Sequence, residues 1–61
     1  MFVGKSLANI RILHELSRSQ LAEELGITEQ AVWQYENGYV SPKWEVVNKM
    51  KHLFHVKAAY F

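Results

Sequence analysis

The sequence predicts an all-α fold: a compact bundle of four to five short helices, with a helix-turn-helix at about 18–37. Apolar residues recur at helical spacing in separate stretches of the chain. Cap and stop residues fall between those stretches. No stretch alternates apolar and polar residues as a half-buried strand does. The 61 residues leave room for one domain, spanning 1–61. A domain of that size buries roughly 60% of its unfolded-chain surface. It contains no cysteine, so packing must hold it together, and a hydrophobic content of 49% is adequate for that.

Met1 to Gly4 reads as a short lead-in. From Lys5 to Leu16, the residues Leu7, Ile10, Ile12 or Leu13, and Leu16 repeat at helical spacing and form one buried stripe. Ser17-Arg18-Ser19-Gln20 is a capping-box pattern, with Ser at the N-cap and Gln three residues on. It opens a second helix, about 18–25, with Leu21, Ala22 and Leu25 facing inward. Gly26 ends that helix. Only Gly26-Ile27-Thr28 separates it from the next, and such a short Gly-containing turn between two helices is the helix-turn-helix signature.

Thr28 opens the third helix, since its hydroxyl accepts an orphan backbone N–H. Glu29 in the first turn complements the helix dipole. Asn37-Gly38 is a stop signal, giving a helix of roughly 29–37. Ser41-Pro42 predicts the start of a fourth helix, with Ser as N-cap and Pro at the first helical position. Trp44, Val47, Met50, Leu53 and Phe54 continue it to about 54, where His55 ends it. Residues 56–61 read as a short fifth helix or a frayed tail.

On a wheel at about 100° per residue, Ala31, Val32 and Tyr35 of the third helix fall on one arc. Glu29, Gln30, Trp33, Gln34 and Asn37 fall on the opposite one. An ordinary solvated helix face carries Lys/Glu pairs. This one reads either as a merely polar face or as a set of side chains suited to base edges in the major groove, where Gln bonds adenine bidentately and Glu accepts from the cytosine amino group. The net charge of +1 does not by itself advertise nucleic-acid binding.

The run Arg11…Leu16-Ser17…Leu21-Ala22…Leu25-Gly26-Ile27-Thr28…Val32…Tyr35-Glu36-Asn37-Gly38…Pro42…Val47…Met50…Leu53-Phe54 resembles the phage-repressor helix-turn-helix family of Xre or Cro/cI type. The resemblance covers about residues 5–56. It implies a lambda-repressor-like bundle that binds double-stranded operator DNA, usually as a homodimer, with the third helix in the major groove. It places Glu29, Gln30 and Gln34 at base-reading positions, with Trp33 beside them. It places Asn37, Ser41 and Lys43 at phosphate-contacting positions, and Arg18 where the family often has a phosphate-touching Gln. Arg11 and Glu36 match a family ion pair that braces the first helix against the third.

Three residues depart from the family pattern. Trp33 replaces a small or polar residue, and its ring is expected either to fold back over the Tyr39–Val40 loop or to pack against sugar-phosphate or a thymine methyl. Lys51 replaces a small Ala, so that helix four packs less tightly there or Lys51 snorkels outward. Glu15 replaces a frequent Gly before Leu16 and is expected to change little. The segment Gln30 to Gly38, with Val56…Tyr60-Phe61, also resembles the N-terminal module of regulators that continue into a zinc metallopeptidase domain. The apolar ending fits a piece of a longer protein with a C-terminal domain absent from this chain. The chain itself has no His-Glu-x-x-His motif.

Enzymatic chemistry is not expected. No Ser–His–Asp or Cys–His set is credible in so short a chain, and there is no Gly-rich phosphate loop. His52 and His55 lack the further ligands a metal site needs, so neither a metal nor another cofactor is expected. The Trp44, Val47, Met50, Phe54 stripe reads as core, although its outer members with Val46, Tyr60 and Phe61 also suit a dimer seam. The absence of a signal peptide, of a ~20-residue apolar run and of cysteine points to a cytoplasmic protein without a membrane partner. The leading expectation is therefore a DNA-binding transcriptional regulator, a repressor in the family's usual mode. The alternative is an antitoxin-like protein-interaction module, which the modest net charge favours.

Overall fold

In the computed structural model, which describes all 61 residues, the chain runs through four helices and one closing turn. They are α1 (Gly4–Leu13), α2 (Arg18–Leu25), α3 (Glu29–Glu36), α4 (Trp44–Phe54) and a 3-10 turn at Ala58–Tyr60. Leu7 and Ile10 of α1 meet Leu21, Ala22 and Leu25 of α2, Val32 of α3, and Met50 and Phe54 of α4 in one core. Each fully buried Leu adds about 1.5–3 kcal/mol to the stability of that core.

The helix-turn-helix forms on its own local chemistry. The Ser17 hydroxyl accepts from Gln20 N at 3.0 Å, while the Gln20 side chain accepts from Ser17 N at 2.8 Å. Gly26 adopts a left-handed conformation (φ 70°) and closes α2, with Ile27 N–H donating to Ala22 O. Thr28 Oγ1 accepts from Ala31 N at 3.1 Å and opens α3. Asn37 ends α3, one residue before the expected boundary, and Gly38 turns the chain away at φ 78°.

The flanks differ from the sequence expectations. Helix α1 stops at Leu13, not Leu16. Glu15 is left-handed (φ 58°), and the closing bonds run from Glu15 N to Ile12 O and from Leu16 N to Arg11 O. Leu16 reaches the core from beyond the helix, whereas Leu13 is 76% exposed. Glu15 thus occupies the conformation its family counterpart Gly adopts freely, and a non-glycine residue there costs about 1–2 kcal/mol. The substitution is consequential, contrary to the expectation that it changes little.

Gly4 is no lead-in. It begins α1 against the C-terminal end of α3, and a Cβ there would lie 2.7 Å from Glu36 O and closer still to Tyr35 O. The positive end of α1 therefore meets the carbonyl end of α3 through a position only glycine fills.

Helix α4 begins at Trp44. Lys43 is its N-cap, extended at ψ 161°, and no side chain caps the helix. Ser41 and Pro42 precede it outside the helix. Trp44 consequently lies in the first turn, 61% exposed and outside the core, with Lys51 Nζ 5.1 Å above its ring. Lys51 does run outward along the helix. The tail is not frayed, and Phe61 cannot serve as a dimer seam. Its ring is buried and stacks on Phe2 at 5.6 Å, and its carbonyl accepts from Val3 N.

Candidate nucleic-acid interface

The outer surface of α3 follows from which of its residues the core consumes. Val32 is fully buried, Tyr35 and Ala31 are half-buried, and Tyr35 meets the edge of Phe2. That fixes the rotation of the helix and turns Glu29, Gln30, Trp33 and Asn37 to the outside, with Gln34 half-buried at the rim. The Glu29, Gln30 and Gln34 side chains take no part in the side-chain hydrogen bonds of the fold. Their donors and acceptors are open to an external partner.

Trp33 is only partly open. Its ring lies almost parallel to that of Tyr39, 5.3 Å between centroids and 15° between planes, and 42% of the residue stays exposed. The loop following α3 is tied back beneath this stack, since Tyr39 N donates to Gln34 O at 3.0 Å. Asn37 is exposed, and its Nδ2 donates to Trp33 O at 2.9 Å, so the side chain also helps close α3. Ser41 and Lys43 are exposed on the segment between α3 and α4.

Beneath this face lies a charged cluster centred on Glu36. Arg11 Nε donates to Glu36 Oε2 at 2.6 Å, Arg11 Nη2 donates to Oε1 at 3.3 Å, and Arg11 Nη1 donates to Leu16 O at 2.8 Å. Helix α1 is thereby locked to α3 and to the turn before α2. Arg18 is the third member, with its Nε 2.9 Å from Glu36 Oε1. The family resemblance implied the Arg11–Glu36 pair, and the structure forms it. Nothing local in the sequence signals that Arg18, eighteen residues from Glu36, shares the same carboxylate.

The cations are distributed unevenly. Helix α3 has no Lys or Arg, while residues 46–61 contain no acidic residue and hold Lys49, Lys51 and Lys57. Lys49 Nζ is bonded to Leu25 O at 3.2 Å, where it satisfies the C-terminal end of α2. Lys51, Lys57, His52 and His55 surround a shallow hollow at the end of α4. His52 Nδ1 is 2.8 Å from Asn48 O, and no group of three or more His, Asp or Glu side chains is arranged to hold a metal ion. No helix is long and apolar enough to cross a membrane.

Two short helices joined by a tight turn, the second with its polar face free and its back braced, define a helix-turn-helix domain. A model of the helix-turn-helix family matches residues 7–61, and the chain belongs to that family, the Xre or lambda-repressor-like group of DNA-binding domains. No curated protein matches the chain.

Proposed function

We propose that this domain is a sequence-specific transcriptional regulator that binds double-stranded operator DNA with α3 in the major groove. The observation that carries this reading is the set of unengaged polar side chains on the rigidly braced α3. Glu29, Gln30 and Gln34 read base edges, where a good bidentate pair discriminates by about 1–3 kcal/mol. The exposed edge of Trp33 packs on sugar or a thymine methyl. Arg18, Asn37, Ser41 and Lys43 meet phosphates and set the register. Arg11 and Glu36 stay behind the interface and hold α3 in place. With so few cations near α3, one protomer binds weakly. A homodimer on two half-sites roughly 10 bp apart gains the missing affinity. Such a regulator acts in the cytoplasm, where its operator lies.

The test is a mobility-shift titration on the duplex flanking its own gene at several salt concentrations. The expected result is a discrete complex whose affinity falls with salt at about −0.9 per phosphate neutralised. Gln30→Ala or Gln34→Ala should cost about 1–3 kcal/mol and relax preference at one base pair each. A uniform loss on all duplexes would show that these residues do not read bases. The lack of any basic residue on α3 supports a second reading, an antitoxin-like module whose main partner is a protein. On that reading no discrete DNA complex forms.

A further inference from the structure

The Glu36 cluster holds more positive charge than the fold requires. Glu36 is the one buried charged residue of the chain, its side chain only 2% exposed. Arg11 alone neutralises it, and all three Arg11 guanidinium nitrogens have acceptors within the protein. Arg18 adds a second positive charge to the same carboxylate, so the cluster carries a net +1. The surplus sits on Arg18, whose side chain is 40% exposed. Only its Nε is engaged, and neither Nη group has an acceptor in the fold. Nor is Arg18 needed to join α2 to α3, which already pack through Leu21, Leu25 and Val32 across a three-residue turn.

A guanidinium is planar, so fixing Nε also fixes the direction of both Nη groups. That fork matches the oxygens of a phosphate, a geometry a lysine ammonium cannot reproduce. Helix α3 has no cation of its own, and Arg18 is the exposed cation bonded directly to it.

We propose that Glu36 is a positioning residue for DNA binding: it holds Arg18 by Nε so that Nη1 and Nη2 grip one backbone phosphate beside α3. The helix that reads bases thereby borrows from α2 the charge it lacks. The carboxylate that braces α1 to α3 also sets where the duplex lies. This inference rests on the DNA-binding reading above and assigns that reading one phosphate and one mode of contact.

The test uses a duplex that the protein selects from a random pool, with single phosphates replaced in turn by neutral methylphosphonates. The wild-type protein should show one phosphate per half-site whose neutralisation weakens binding by about tenfold or more. For Arg18→Ala the same replacement should cost nothing further, and the salt slope should fall by about 0.9 per protomer. Arg18→Lys should restore the slope but only part of the affinity. Glu36→Gln should keep the slope and shrink the effect at that one phosphate. If Glu36→Gln does not fold, the Arg18→Lys comparison answers the same question. Full recovery of affinity by Arg18→Lys would overturn the positioning role, as would an Arg18→Ala protein with unchanged slope and phosphate profile. A wild-type protein that selects no sequence and forms no salt-sensitive complex overturns the DNA-binding reading itself, and this inference with it.

Discussion

Helices α2 and α3 open on capping side chains, whereas α1 and α4 open without one. In residues 17–38 each boundary has a local device: the Ser17–Gln20 box, the left-handed Gly26, the Thr28 cap, and Gly38. Outside that stretch the helices still close locally, on left-handed Glu15 and His55, but their starts are set by tertiary contact or left uncapped. Helix α1 starts where Gly4 slides beneath two α3 carbonyls, and it stops at a left-handed Glu15. Helix α4 starts at an N-cap without a capping side chain, and the chain finishes with Phe61 in the core. The unit that faces the proposed duplex is therefore specified locally. The flanks press on it from behind and fix its orientation.

The largest effect is expected where a flank touches the central unit most closely. Gly4→Val should cost more than the usual 1–3 kcal/mol of overpacking, since the obstructing atoms are α3 backbone and cannot rotate away. In a domain of this size that unfolds a large fraction of the molecules at 25 °C, readable by circular dichroism. A Gly4→Val protein with a wild-type melting curve would mean that α1 does not dock so closely.

Next comes the asymmetry within the charged cluster. Glu36→Ala strands two guanidiniums, one of them nearly buried, at roughly 3–5 kcal/mol. Arg11→Ala strands Glu36 only in part, because Arg18 remains bonded to it, and should cost less. The double variant should recover part of the loss in a mutant cycle. Strictly additive urea midpoints would mean the side chains do not interact.

Smaller effects should separate stability from binding. Lys43→Asp supplies the capping carboxylate α4 lacks and should stabilise the fold by about 0.5–1 kcal/mol. It also removes a proposed phosphate contact, so DNA affinity should fall while the melting temperature rises. Both moving in the same direction would contradict the assignment. Glu15→Gly relieves the left-handed strain behind α1 and should raise stability by about 1 kcal/mol. Operator preference should stay unchanged, because Glu15 lies outside the proposed contact set.

The same division explains what was legible in the sequence. The limits of α2 and α3 could be read because Ser17, Gln20, Gly26, Thr28 and Gly38 act within a few residues of themselves. The polar arc of Glu29, Gln30 and Gln34 could be read from helical spacing alone. The start of α4 was misplaced because Ser41-Pro42 carries a helix-opening pattern, whereas the helix opens only after Lys43. Gly4 and Phe61 were missed because their roles depend on elements far along the chain, and Glu15 because a glutamate does not announce the left-handed turn that a glycine would. Trp44 sits at core spacing, yet the first turn of α4 leaves it outside. Arg18 could be placed at the helix start, but its bond to Glu36 exists only once α2 and α3 have packed.

The most direct test of the central claim, that the exposed face of α3 reads DNA sequence, is selection from a random duplex pool by the wild-type protein and by the Gln30→Ala and Gln34→Ala variants. The expected result is one recurring sequence for the wild type, with each variant losing preference at a single base pair per half-site while keeping the rest. Enrichment of no sequence by the wild type, or of the same sequence by all three proteins, would contradict it.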